Sequence, residues 1–188
     1  DTSIVVRWWW TVDRWALAGI CIIIAIGAVL TLAASPAVAE RLGLDTFYFA
    51  RRQFVFLGAA LVIMFVISCM THRYIRRLAV LCLCIAIILM IATLLVGPEI
   101  KGASRWLPLG PLSLQPSEFV KPAFAVFAAW MFSEQRFDEQ FPGYAIATGL
   151  FLIIASLLLL QPDVGMTMVI AAIWSVQLFV AGLPLLLV

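Results

Sequence analysis

Charge is the scarcest commodity in this sequence. Only 12% of residues are charged and 65% are hydrophobic, against roughly 25% charged in an average soluble chain. A water-soluble domain of this size would lack the polar residues needed to cover its surface. Lys and Arg number 12 against 10 Asp and Glu, which leaves neither a basic patch for nucleic acid nor an acidic tail. The single histidine, His72, has no partner at ligand spacing, and this argues against a zinc site. Cys21, Cys69, Cys82 and Cys84 all fall inside apolar stretches, where inert buried thiols are the expected reading rather than metal or disulfide use. No Gly-rich loop of the G-x-x-x-x-G-K type offers a phosphate cradle. No stretch alternates as a membrane-spanning barrel strand must. No fixed-period repeat and no Gly- or Ser-rich linker is present, so residues 1–188 are expected to form a single integral membrane domain.

What the sequence does have is long apolar blocks, which make lipid the expected solvent. Six approach the length needed to cross a hydrocarbon core of ~30 Å: residues 15–34, 54–71, 78–97, 116–132, 144–160 and 164–181. The expected fold class is therefore all-α, a polytopic transmembrane helix bundle, since helices satisfy their own backbone polar groups in lipid. The first block lacks a convincing cleavage site and reads as a retained anchor. Trp8, Trp9, Trp10 and Trp15 read as interfacial anchors. The run His72–Arg77 reads as a solvated turn near anionic headgroups. The apolar end, 184–188, carries no stop signal, and a longer parent chain is expected. With the N-terminus in the cytoplasm, the inner side holds Arg7, Arg14, Arg73, Arg76, Arg77 and Arg136. The outer side then holds Arg41, Arg51, Arg52, Lys101, Arg105 and Lys121. This tie leaves the positive-inside rule undecided. It also puts cations outside that topology does not require, as an anionic substrate would.

The most informative stretch is 102–121, GASRWLPLGPLSLQPSEFVK, between the third and fourth blocks. Its prolines, glycines, Arg105 and Trp106 make it irregular. Such a segment sits at membrane depth only if protein buries it or it lines a wet cavity; a surface loop with an interfacial Trp reads the residues equally well. Glu118 and Lys121 stand three apart, on one helix face. Pro116 suits the first helical position, and Glu118 then meets the positive end of the helix dipole. Pro122 lacks the amide that would bond the Glu118 carbonyl, so a kink or a late helix start is expected. The charged pair fits either a polar cavity or a structural ion pair at the interface. The second motif is Gln161-Pro162-Asp163-Val164-Gly165, between the fifth and sixth blocks. There Asp163 can cap the sixth helix or face the same outer cavity as Arg105 and Lys121.

Taken together, Arg105-Trp106, Leu109-Gly110-Pro111, Gln115-Pro116-Ser117-Glu118 and Lys121 resemble the signature of the SEDS family (shape, elongation, division and sporulation proteins). Gln161-Pro162-Asp163 and Gly165 resemble that family's second marker, in the expected order. The resemblance implies a fold of ten transmembrane helices with cytoplasmic ends, of which about six lie here. It puts both motifs outside, with outer loops at 35–53, 98–115 and the turn at Asp163. It implies that Arg105, Trp106, Gln115, Glu118, Lys121 and Asp163 border the substrate cavity. The family's essential aspartate lies in a later outer loop, so no catalytic residue is assigned in this segment and the segment alone is expected to be inactive. WWWTVDRW and EFVKPAF look more like the division member than the elongation member.

The implied function is that of a peptidoglycan glycosyltransferase polymerising lipid II, an inverting reaction in the bacterial cytoplasmic membrane, expected at the division septum. The implied partners are lipid II, polyprenyl-diphosphate-linked glycan, a class B penicillin-binding protein as transpeptidase, other division membrane proteins and membrane lipid. No cofactor is implied. A divalent cation could share the diphosphate's charge, but no residues here build its cage. Two rivals explain the same residues: a transporter flipping lipid-linked precursor, and a non-catalytic division scaffold. The first would show no glycan synthesis as pure protein in detergent; the second would tolerate loss of Arg105 and Lys121.

Overall fold

The structure, a computed structural model, describes residues 4–43, 45–98, 104–109 and 112–182. Gly102, Ala103, Gly110 and Pro111 of the long motif, Lys101 ahead of it, and the apolar end 184–188 lie outside the described residues. Two compact units are present, Asp1–Thr71 and His72–Val188.

In the first unit, α1 (Ile4–Thr11) precedes two long helices, α2 (Arg14–Arg41) and α3 (Tyr48–Ser68). Asp13 caps α2: its carboxylate accepts from the amides of Trp15 at 2.8 Å and Ala16 at 3.2 Å. The Trp8 indole donates to the Ser68 hydroxyl at 2.8 Å and meets the Phe65 ring edge-on, tying α1 to the end of α3. Trp9, Trp10 and Trp15 are exposed. The expected outer loop 35–53 is corrected here, because α2 runs on to Arg41 and α3 starts at Tyr48. Ser35 and Pro36, which look like a helix end, lie inside α2. The buried Ser35 hydroxyl donates to the Thr46 carbonyl at 3.2 Å and accepts from the Ala50 amide at 3.3 Å. The polar residue is a joint between two helices.

The second unit contains α4 (His72–Val96), a small hairpin of β1 (Leu107–Leu109) and β2 (Leu112–Leu114), then α5 (Pro116–Phe137), α6 (Gly143–Leu160) and α7 (Val164–Val180). The strands pair antiparallel, Leu107 opposite Leu114 and Leu109 opposite Leu112. Helix α5 is the hub and packs against α4, α6 and α7. It contributes Val120, Phe124, Ala128 and Phe132 to a core shared with Met90 of α4, Ile154 and Leu158 of α6, and Ile170 of α7. Where α6 begins, Gly143 approaches α5 so closely that a Cβ there would collide with the Met131 carbonyl oxygen. The helix α5 starts at Pro116, not late, and runs unbroken through Pro122. The missing amide costs one bond at the carbonyl of Glu118, and that residue is exposed.

Among the described residues four helices, α2, α3, α4 and α6, are long and apolar enough to cross a membrane. Helix α7, of 17 residues, is a shorter apolar helix, while α5 carries Glu118, Lys121, Glu134 and Arg136. The six expected blocks all appear as helices, and the chain is a polytopic helical membrane protein.

Candidate functional site at the hairpin and the α6–α7 turn

The α6–α7 turn is fastened to α4 by a buried polar joint. Gln161 closes α6; its backbone amide bonds the carbonyls of Leu157 and Leu158, both at 3.1 Å. Its side-chain amide donates to the Thr93 hydroxyl at 2.6 Å and to the Met90 carbonyl at 3.1 Å. The Thr93 hydroxyl in turn donates to that same carbonyl at 2.6 Å. Gln161 is 2% exposed and Thr93 0%, so these donors have no water to fall back on and the bonds between them are obligatory.

Two residues on, Asp163 caps α7: its carboxylate accepts from the Met166 amide at 3.2 Å. The same oxygen faces Arg105 at 3.7 Å. Arg105, just ahead of β1, wraps the turn. Its Nε donates to the Gln161 carbonyl at 3.4 Å and a terminal nitrogen donates to the Pro162 carbonyl at 2.7 Å. The guanidinium thus joins the hairpin to the α6–α7 turn across more than fifty residues of sequence. Its side chain is 36% exposed, and the N–H groups not aimed at the turn can meet a ligand.

The charged start of α5 is built differently. Lys121 meets Glu118 at 2.7 Å within one helix face, with side-chain exposures of 28% and 51%. Gln115, immediately before the helix, donates to the buried Ser117 hydroxyl at 3.1 Å. Helix α5 runs antiparallel to α4: the Cys82 thiol lies 3.9 Å from the Phe119 carbonyl, and Arg76 stacks over Trp130. Thr93 and Met90 are 11 and 8 residues beyond Cys82. At about 1.5 Å rise per residue, Phe119 is recessed roughly 12–16 Å along α4 from the Gln161 joint. The α5 start therefore lies below the α6–α7 turn along α4, and the hairpin leads to it with its two strands paired to each other. Beside it, Leu78, Cys82, Ile85, Leu89, Leu114, Pro116 and Phe119 line an almost wholly apolar cavity of about 310 Å³. It opens onto the exposed face of α4, where Leu81, Ile85 and Ile88 are unburied.

Of the residues singled out from sequence, the structure brings Arg105 and Asp163 into contact, and separately Glu118 and Lys121. Trp106, 37% exposed, follows Arg105 at the head of the hairpin. Among the described residues, no hydrogen bond or ion pair links the two groups. Asp163 caps α7 and the same carboxylate faces Arg105; among the described residues no bond joins it to Lys121. Thr93 was not singled out, and Gln161 was read only as part of its motif. The signal of Thr93 was a hydroxyl inside an apolar run, a group that must find a partner in lipid. Among the described residues no group of three His, Cys, Asp or Glu is placed to hold a metal.

The fold and the site define a polytopic helical membrane protein with a short Leu-rich hairpin and an Arg-latched Gln-Pro-Asp turn. Residues 14–188 match the FtsW/RodA/SpoVE family model, described as cell cycle protein, and the chain belongs to that family. It is 42% identical over 186 residues to the probable peptidoglycan glycosyltransferase FtsW of Caulobacter vibrioides, covering 98% of this chain and 48% of that protein. It superposes on the crystal structure of the rod shape determining protein RodA of Thermus thermophilus with a TM-score of 0.64 and 32% identity, covering 86% of this chain and 56% of that one. A chain of a peptidoglycan synthase complex, from a study of how polymerization and crosslinking are coordinated, matches with a TM-score of 0.62 and 34% identity, covering 84% of this chain and 48% of that chain. The chain spans about half the length of the curated relatives it matches.

Proposed function

We propose that the protein is a peptidoglycan glycosyltransferase that polymerises lipid II, acting in septal wall synthesis during division. The observation that carries this reading is the presence in one unit of two partly exposed cations, Arg105 and Lys121, and an apolar cavity beside the start of α5. A lipid-linked diphosphate has both halves of that chemistry. The likeness to the Caulobacter FtsW supports the division role, and the likeness to a synthase complex that polymerises and crosslinks supports a crosslinking partner, for which the family resemblance implies a penicillin-binding transpeptidase.

In the proposed reaction the growing strand is the donor, linked at its sugar C1 to polyprenyl diphosphate. The 4-hydroxyl oxygen of the lipid II terminal sugar attacks C1 from the opposite face. The new C1–O bond forms as the C1–O bond to diphosphate breaks, with inversion. A carboxylate base takes the hydroxyl proton; none of the residues here is assigned that role, and Asp163, engaged as a helix cap, is not. The diphosphate leaves with its electron pair, and cations at the site stabilise the charge that builds there. Arg105 and Lys121 are the candidate cations, at separate points of the site, while Trp106, Gln115, Glu118 and Asp163 shape the site around them.

The test is polymerisation of lipid II by the full-length protein, pure and in detergent. Glycan strands from wild type, and a drop of at least tenfold in Arg105→Ala at unchanged folded yield, are the expected results. Translocation of lipid II across vesicles without strand formation would point instead to a transporter. Full activity in Arg105→Ala would remove the cation from the proposal.

A further inference from the structure

We infer that Thr93, which lies in neither motif, is a positioning residue for Arg105, acting through the side chain of Gln161. The inference rests on the reading that Arg105 meets the diphosphate, and it concerns what holds Arg105 where it is. Thr93 sits in the last turn of α4, sixty-eight residues from Gln161 in sequence. Its hydroxyl donates to the Met90 carbonyl and accepts from the Gln161 amide. The Gln161 amide nitrogen donates to the Thr93 hydroxyl at 2.6 Å and to the Met90 carbonyl at 3.1 Å, so Thr93 is its nearer partner. The side chain is 2% exposed and has no room to turn in place.

The consequence passes down the backbone of the same residue. The Gln161 carbonyl and the next one, of Pro162, are the two on which Arg105 rests. Fix the Gln161 side chain, and both carbonyls are fixed relative to α4. Remove the Thr93 hydroxyl, and the Gln161 amide loses its nearer acceptor inside an apolar site. Weakening the pairing of a buried donor is costly, and with the side chain unable to turn in place the α6–α7 turn itself shifts to seek another acceptor. Arg105 then loses its two carbonyl anchors and keeps only the 3.7 Å approach to Asp163. A positioning role of this kind is distinct from mere stability. It predicts a folded protein in which one arginine is misplaced.

The experiment uses the full-length protein in nanodiscs with Thr93→Val, which keeps the shape and drops the hydroxyl, and Thr93→Ser, which keeps the hydroxyl. Arg105 is labelled with phenylglyoxal and the modified peptide is quantified by mass spectrometry, with the exposed Arg73 and Arg77 as internal controls. Loss of one buried hydrogen bond corresponds to a shift of about fivefold in an equilibrium. Labelling of Arg105 should therefore quicken about fivefold in Thr93→Val and return to wild-type rate in Thr93→Ser, with the controls unchanged. An unchanged Arg105 rate in folded Thr93→Val overturns the inference. Should Thr93→Val fail to fold, Thr93→Ala, which removes the same hydroxyl without a second methyl to place, carries the labelling test. In the polymerisation assay, Thr93→Val should lower kcat/KM about fivefold and Thr93→Ser should restore it. In an Arg105→Ala background Thr93→Val should add no further loss; a full further loss there shows that Thr93 acts independently of Arg105 and overturns the inference. If wild type makes no glycan at all, the proposed activity fails, while the labelling rates still decide the role of Thr93.

Discussion

The two ion pairs of the second unit invert the usual ranking by distance. Lys121 and Glu118 are the closer pair, at 2.7 Å, and Arg105 and Asp163 are a full ångström further apart at 3.7 Å. Yet the closer pair is local, three residues apart on one helix and up to half exposed. Pairs of that kind contribute about 0.3–0.5 kcal/mol. The longer pair is one contact in a web: two carbonyl bonds from Arg105, a helix cap from Asp163, and the buried Gln161–Thr93 joint beneath. Its removal loosens the union of hairpin, turn and α4. One pair is part of the frame. The other is held by little besides itself and is free to exchange its partner for a ligand.

Breaking the frame at its cap should give the largest effect on stability. Asp163→Ala removes the acceptor for the Met166 amide and leaves Arg105 without a counter-charge. Loss of a cap costs about 1 kcal/mol, and a partly exposed ion pair adds up to about 1 kcal/mol. Asp163→Asn keeps the cap and loses only the charge, so it should cost about half as much or less. Apparent Tm in detergent, measured for both variants, separates the two contributions. Equal drops for Asn and Ala would mean that the charge, not the cap, is what the turn needs.

A smaller effect is expected from Arg105→Lys. The charge stays, but a single ammonium cannot reach the Gln161 and Pro162 carbonyls and Asp163 together, because the planar guanidinium fork is what spans them. We expect a loss of about 1 kcal/mol, the worth of roughly one net hydrogen bond. Loosening should show in hydrogen exchange of Met166 and Thr167, in the first turn of α7. Wild-type protection in Arg105→Lys would mean that Arg105 does not brace the turn, and the contrast between the two pairs would collapse.

How much of this was legible beforehand depends on how far apart in sequence the cause and the effect lie. The α7 start after Asp163 could be read directly, because the cap residue sets it; for α5, Pro116 pointed to the observed first position while Pro122 pointed to a kink or late start that the helix does not show. The Glu118–Lys121 pair was legible from its spacing on one helix. The length of α2 was not. Ser35-Pro36 is an end signal in isolation, and only the Thr46 and Ala50 backbone groups, eleven and fifteen residues on, make it a helix interior. The hairpin was missed because Pro108 and its neighbours look irregular, and the antiparallel register of Leu107 with Leu114 appears only when the chain folds back. Thr93 was silent altogether. A threonine in an apolar run says that a partner exists, but not that the partner is Gln161.

The local pair gives the smallest change in stability and the sharpest change in function. We predict that Lys121→Met, which leaves Glu118 to water it already meets at 51% exposure, shifts the apparent Tm by no more than about 0.5 kcal/mol in equivalent terms, yet removes most polymerising activity. Lys121→Arg keeps the charge with a different donor geometry and should retain part of the activity. The opposing account treats the pair as purely structural. Under it, Lys121→Met does its damage by stranding the carboxylate near the membrane, so adding Glu118→Gln should restore both folded yield and turnover. The double variant therefore divides the two accounts. Folded yield near wild type with activity still lost assigns Lys121 to the substrate. Full activity in Lys121→Met with Glu118→Gln would falsify that role and make the Lys121 pair a second, smaller piece of frame.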